Sequence, residues 1–154
     1  MEIKELSKPA GKWCAHFAVG RRCKLYATRP GDCRVFQCGW TTNPVLGEEW
    51  RPDRCHFVMC TYQTGELVIV TDQSYPDHWR KEPFYSRIKF WSKRGPEGFS
   101  TVFVQRSGRS LVVFPECEID IGTSRVGVTV LSGYKQDNGK LVPYAYYDEG
   151  AAKA

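Results

Sequence analysis

The feature that most constrains this chain is its punctuation by turn residues. Pro30-Gly31-Asp32, Asn43-Pro44, Thr64-Gly65, Gly95-Pro96, Ser107-Gly108 and Asn138-Gly139 recur along its length. The stretches between them are short and rich in Val, Ile, Phe, Tyr and Thr, residues that suit a pleated, half-buried surface. The pattern predicts an all-β fold, a single compact antiparallel barrel or sandwich of about ten strands. The whole chain, 1–154, reads as one β domain with a frayed tail from about 149.

Candidate strands fall near 12–19, 23–29, 33–40, 55–63, 66–72, 85–93, 101–106, 110–115, 117–121, 125–134 and 141–147. Val126, Val128 and Val130 alternate, and Asn138-Gly139 is a strong hairpin signal joining their strand to 141–147. Leu67–Val70 and Leu111–Phe114 are continuously apolar, which predicts burial on both faces. No window predicts a helix. Residues 74–84 read as a loop or at most one turn, broken by Pro76 and Pro83.

Hydrophobic residues make up 42% of the chain and charged residues 25%, which excludes a disordered tail-like protein. No apolar run approaches the roughly 18 residues of a membrane span. The start, MEIKELSKPAGK, lacks the apolar segment of a secretory signal, so a cytoplasmic, intracellular setting away from membranes is expected. The formal charge of +5 is local. Residues 78–94 hold Arg80, Lys81, Arg87, Lys89, Lys93 and Arg94 against Glu82, six cations and one acid, so the remainder sums to zero.

That basic stretch is the first candidate site. Written as a strand, 85–93 puts Tyr85, Arg87, Lys89, Trp91 and Lys93 on one face, and Ser86, Ile88, Phe90 and Ser92 on the other. The first face is cationic and aromatic together. Lys and Arg attract phosphates with release of counterions, and bases stack on exposed rings with little regard to sequence. Trp79, Arg80, Lys81 and Arg94 would flank the platform. The plainer alternative is a solvated edge strand, whose lysines block unwanted pairing. A protein partner would use the same anchors, since Trp, Tyr and Arg dominate interface hot spots.

Seven cysteines stand at 14, 23, 33, 38, 55, 60 and 117, an odd number that leaves one thiol without a partner in a monomer. Cys33, Cys38, Cys55 and Cys60 form two pairs with four-residue gaps and are weak zinc candidates. Strand geometry opposes them, because positions i and i+5 face opposite ways and lie roughly 16 Å apart. Free, mostly buried thiols are the leading expectation, with no metal and no cofactor. Cys14 and His16 share a face of the first strand, but no third orienting group accompanies them, so no catalytic pair is assigned. Glu116, Glu118 and Asp120 alternate with Cys117, Ile119 and Ile121 and read as the solvent side of a half-buried strand; together they could bind a hard cation.

Gly11-Lys12-Trp13 resembles the Gly-x-Trp of lipocalins and the first strand of avidin-like barrels. Thr71-Asp72 is similar to the second lipocalin motif, with Gln73 where that family has Tyr. The resemblance implies a barrel with a small-ligand interior, closed at its base by Trp13.

The sequence therefore predicts a non-enzymatic binding module, for single-stranded nucleic acid through the basic aromatic strand. A protein-interaction subunit or inhibitor using the same surface is the alternative, and a small-ligand-binding β-barrel a further one.

Overall fold

The computed structural model describes residues 3–9, 12–18, 22–93, 98–125, 127–148 and 150. Its described elements run β1 (Phe17–Ala18), β2 (Arg22–Cys23), α1 (Gly31–Val35), α2 (Gly39–Thr42), α3 (Pro52–Cys55), β3 (Phe57–Thr61), β4 (Glu66–Thr71), α4 (Phe84–Trp91), β5 (Thr101–Arg106), β6 (Arg109–Val113), β7 (Glu118–Thr123), β8 (Val130–Asp137) and β9 (Lys140–Tyr147). The architecture is mixed α/β, and the expected all-β barrel or sandwich is corrected. Five strands form one open sheet in the order β3-β4-β5-β6-β7, while β1-β2 and β8-β9 are separate two-stranded ribbons.

The turn residues act as expected where they close hairpins. Gly65, at φ +81°, joins β3 to β4. Ser107 and Gly108 (φ 49° and 78°) join β5 to β6, and Asn138 and Gly139 (φ 47° and 76°) join β8 to β9. Positive φ at both central positions is the hairpin geometry that Asn-Gly favours. Elsewhere the same residue types serve helices. Pro30 caps α1 and Asn43 ends α2, so the strand expected at 33–40 is replaced by two short helices. Gly39 lets α2 lie against β3: a Cβ there would stand 3.1 Å from Met59 Cβ. The strands expected at 12–19 and 23–29 shrink to two residues each within the described part. Gly95-Pro96 lies outside the described residues.

The decisive departure is the link between β4 and β5. These two central strands pair in parallel, Leu67 opposite Val102 and Ile69 opposite Val104. A parallel pair cannot be closed by a tight turn and needs a crossover over one face of the sheet. Residues 72–100 make it, with one 3-10 turn at His78–Arg80 and then α4. The expectation of at most one turn in 74–84 fits the first part. The expectation of a strand at 85–93 fails. Phe84, Ile88 and Trp91 recur at the i, i+4, i+7 spacing of one helix face, and the sheet beneath offers an apolar surface to bury them.

The core lies between the crossover and that sheet face. Phe57 and Met59, Leu67 and Ile69, Val102 and Val104, Leu111 and Val113 point into it from successive strands. Trp50, Cys55, Trp79, Phe84 and Ile88 fill it from the other side, with Trp91 and Phe99 at its margin. The aromatic contacts are edge-on: Trp50 to Phe84 at 5.0 Å and 82°, Phe57 to Phe84 at 5.2 Å and 90°. Such pairs contribute about 0.5–1.5 kcal/mol beyond their burial.

The other sheet face is only partly covered. Val68 and Val70 are half-buried, so burial of 67–70 on both faces is corrected to one, whereas Leu111–Phe114 is buried throughout as expected. The β8-β9 ribbon lies against this second side, through Thr101 Oγ1 and Ser132 Oγ at 3.0 Å and Phe114 against Tyr134 at 5.4 Å. β8 starts at Val130, later than the 125–134 expectation, and Val126 lies outside the described residues.

Ile69 is fully buried on the strand at the heart of this arrangement. Ile69→Ala is expected to cost about 2–5 kcal/mol, and Val68→Ala, on the half-buried side, distinctly less. Urea unfolding would read this as a lower midpoint for Ile69→Ala with an unchanged slope.

Candidate functional site

Helix α4 redistributes the residues expected to form one basic aromatic face. Successive side chains turn by about 100° on a helix, so alternate positions no longer align. Tyr85 and Lys89, one turn apart, point toward the end of β7. Tyr85 Oη donates to Glu118 Oε1 at 2.9 Å, and Lys89 Nζ donates to the carbonyls of Phe114 and Cys117 at 2.8 and 3.1 Å. Trp91 turns inward against Trp50, ring centroids 5.1 Å apart. Trp79, expected at an exposed flank, is fully buried, its Nε1 without an acceptor among the described residues.

Arg80 is likewise committed to structure. Its guanidinium donates to Asp77 and to both oxygens of Glu118, and it lies 4.6 Å over the Trp79 ring. Arg106 from β5 grips the other side of Asp77 in a bidentate pair at 2.8 and 2.7 Å. Crossover, β5 and β7 are thus stitched by one network, Arg106–Asp77–Arg80–Glu118–Tyr85. The Arg106 hydrogen bonds hold the Asp77 carboxyl below its ordinary range. Burial pushes Glu118 up, but hydrogen bonds from Arg80 and Tyr85 outweigh it and leave the carboxyl below its usual value.

Of the residues singled out in the sequence, Lys81, Arg87 and Lys93 remain exposed, and Arg94 lies outside the described residues. A ring that the strand pattern put on the opposite face joins them. Phe90 is 38% exposed, with the Arg87 guanidinium 5.7 Å and the Lys93 ammonium 5.5 Å from its centroid. The outward stripe at α4 is therefore Arg87 and Phe90 on the helix, continued by Lys93 two residues past its end. The Phe84/Ile88/Trp91 spacing is the signal that would have found it, by fixing which face is inward.

The acidic strip divides. Glu118 belongs to the network, Asp120 is paired with Arg109 at 2.8 and 2.9 Å, and Glu116 accepts from Tyr134 Oη at 3.1 Å. No cation site forms from them, and among the described residues no three His, Cys, Asp or Glu side chains gather as metal ligands. Cys33 sits in α1, Cys38 precedes α2, Cys60 lies on the half-buried side of β3, and buried Cys55 donates to the carbonyls of Trp50 and Phe57 at 3.3 and 3.2 Å. Burial pushes the Cys55 thiol up to about 12, which leaves it inert as a nucleophile or ligand. All seven cysteines are unpaired. Cys14 and His16 do not share a strand face, because a turn closes there through Phe17 N–H to the Cys14 carbonyl at 2.9 Å.

Trp13 does not close a barrel. It is 45% exposed, stacks on Phe17 at 5.0 Å, and donates from Nε1 to Asp72; Gly11 lies outside the described residues. Together these residues border a half-open cleft of about 330 Å³ between the N-terminal segment and the β3-β4 end of the sheet. No helix among the described residues is long and apolar enough to cross a membrane. Comparison with protein-family models, with curated proteins and with solved structures returned no match.

The network makes a testable demand on acid stability. Asp77 and Glu118 titrate lower in the folded chain than when unfolded, so their contribution is complete above the ordinary carboxyl pKa near 4 and is lost as pH falls through the folded values. Replacing both, Asp77→Asn with Glu118→Gln, is expected to lower stability at neutral pH and to flatten its decline between about pH 5 and 3. Urea midpoints measured across that range, for wild type and variant, check both effects.

Proposed function

We propose that this chain is a non-enzymatic binding module for nucleic acid, single-stranded by preference, and that the outward stripe of α4 makes the contact. The supporting observation is the combination on that face: Arg87 and Lys93 flank an exposed Phe90, and neither cation forms an ion pair among the described residues. Exposed Lys81 extends the positive surface past the start of the helix. Phosphates are held by the three cations, and Phe90 offers a π-face to one base. Tyr85, Lys89, Trp79 and Trp91, committed to packing and to the Glu118 network, position the helix and do not touch the ligand. Seven unpaired thiols suit a reducing, intracellular setting.

The alternative, a protein partner on the same face, uses Phe90 as an apolar anchor and makes binding far less sensitive to salt. Fluorescence anisotropy with labelled single-stranded RNA, single-stranded DNA and duplex, at about 50 and 200 mM salt, separates the two. Single strands are expected to bind and to weaken steeply with salt. An Arg87→Glu/Lys93→Glu variant that unfolds at the wild-type urea midpoint should lose binding, and neutral Lys93→Gln should reduce the salt slope by about one. No binding by wild type at the lower salt, or full binding by the double variant, removes α4 from the account.

A further inference from the structure

Three rings meet where the crossover leaves the sheet, and two of them are imidazoles. His56 ends α3 and leads into β3 with a left-handed backbone, φ 59° and ψ 27°. A residue with a Cβ adopts that conformation only where its surroundings hold it. Two backbone bonds do so: the His56 N–H donates to the Pro52 carbonyl at 3.0 Å, and the His56 carbonyl accepts from Asp72 N–H at 2.8 Å. The ring is thereby set against the crossover. Tyr75 stacks on it, centroids 3.9 Å apart and 20° from parallel, and the His78 ring lies 4.8 Å away, tilted by 57°. Phe84 stands 5.9 Å from His78.

This arrangement suits two neutral imidazoles and not two cations. His56 Nδ1 is shut off from solvent and has no hydrogen-bond partner among the described residues. In a neutral ring that nitrogen can be the bare acceptor, whereas an imidazolium carries N–H on both nitrogens and would bury a donor unpaired. Burial lowers the His78 pKa, and the Lys81 ammonium and His56 lower it further. The carboxylates on the segments that carry the rings are engaged: Asp53 with Arg51, Asp72 with Trp13 and Ser74 N–H, Asp77 with Arg80 and Arg106. Arg54 of α3 pairs with Glu48. Where His56 borders the Trp13 cleft, the charged groups are Asp72, Lys12 and Lys8, the last donating to the Pro9 carbonyl. The Tyr75 face would favour a cation at His56, but against it stand the unpaired N–H and, at His78, a second cation.

We propose that His56 and His78 form an acid-sensitive latch. While both rings are neutral they hold the start of the crossover, residues 72–81, on the junction of α3 and β3; proton uptake below about pH 6 releases that segment and leaves the sheet folded. The direction follows from linkage. His78 titrates lower in the folded chain than when unfolded, so its contribution is complete above the ordinary histidine value near 6.5 and is lost as pH falls through the folded value. Neither histidine belongs to the α4 stripe, so the latch is tested apart from nucleic-acid binding.

Amide hydrogen exchange of wild-type protein at about pH 7.5 and 5.5, expressed as protection relative to an unstructured chain, tests the proposal. The amides of Asp72, His78 and Lys81 donate to the carbonyls of His56, Tyr75 and His78. They are expected to lose about tenfold or more of their protection at the lower pH, while the Ile69 and Val104 amides of the central strands keep theirs. The chain has three histidines, so His16→Asn serves as the control and should leave the loss intact. A His56→Asn/His78→Gln double variant, with a residue tolerant of the left-handed backbone at 56, should show the same protection at both pH values. Unchanged protection of the three amides in wild type, an equal loss at Ile69 and Val104, or the full loss in the folded double variant would each overturn it. The wild-type comparison needs no substitution, so a variant that fails to fold leaves the test standing.

Discussion

The parallel pairing of β4 with β5 is the constraint on which the rest of this structure depends. Two neighbouring central strands running the same way force the chain between them to leave the sheet, cross one face and return. The crossing segment must bury apolar surface as it goes, because the sheet face beneath it is lined by Leu67, Ile69, Val102 and Val104. Trp79, Phe84 and Ile88 meet that need. A helix is the economical way to present them, since its backbone groups are paired within the segment and make no demand on the sheet.

Once the helix is seated, the fate of every charge near it follows. Positions turned toward β7 meet Glu118 and the carbonyls of Phe114 and Cys117, and become ties between crossover and sheet. Arg80 and Arg106 lock the preceding loop through Asp77. Of the cations and rings, what remains outward among the described residues is small: Lys81, Arg87, Phe90 and Lys93. The local excess of positive charge therefore divides into a structural part, Arg80 and Lys89, held by carboxylates and carbonyls, and a part left at the surface. The N-terminal segment meets a different requirement. It covers the β3-β4 end of the sheet incompletely and leaves the Trp13 cleft behind.

Much of the fold was legible in the sequence. Six strands, β3 to β7 and β9, lie within a few residues of their expected places, and β8 overlaps its expected range only from Val130 to Tyr134. Thr64-Gly65, Ser107-Gly108 and Asn138-Gly139 close hairpins for the reason the residues themselves carry, a tolerance of positive φ. Residues 85–93 were ambiguous by construction. Tyr85, Arg87, Lys89, Trp91 and Lys93 satisfy a period of two, while Phe84, Ile88 and Trp91 satisfy one of 3.6. One short stretch, 84–93, carries both patterns, and what decides between them is a strand pairing more than thirty residues wide, from Leu67 to Val102. The same non-local effect converts 31–42 to short helices seated by α2 against Met59. The candidate site was legible as composition and not as geometry: the basic aromatic stretch is there, but its exposed face is Phe90 with two cations, while Trp79 is core and Trp91 packs at the core's margin.

The inward and outward faces of α4 are the central claim, and one pair of substitutions tests them directly. In a strand, Ile88 and Phe90 share a face and respond alike; on the crossover helix, one is fully buried and the other is at the surface. Equilibrium urea unfolding of Ile88→Gln and Phe90→Gln reads the difference. The account predicts a loss of about 3 kcal/mol or more at position 88, where an amide is buried without partners, and less than about 1 kcal/mol at position 90. Similar losses at the two positions would contradict it.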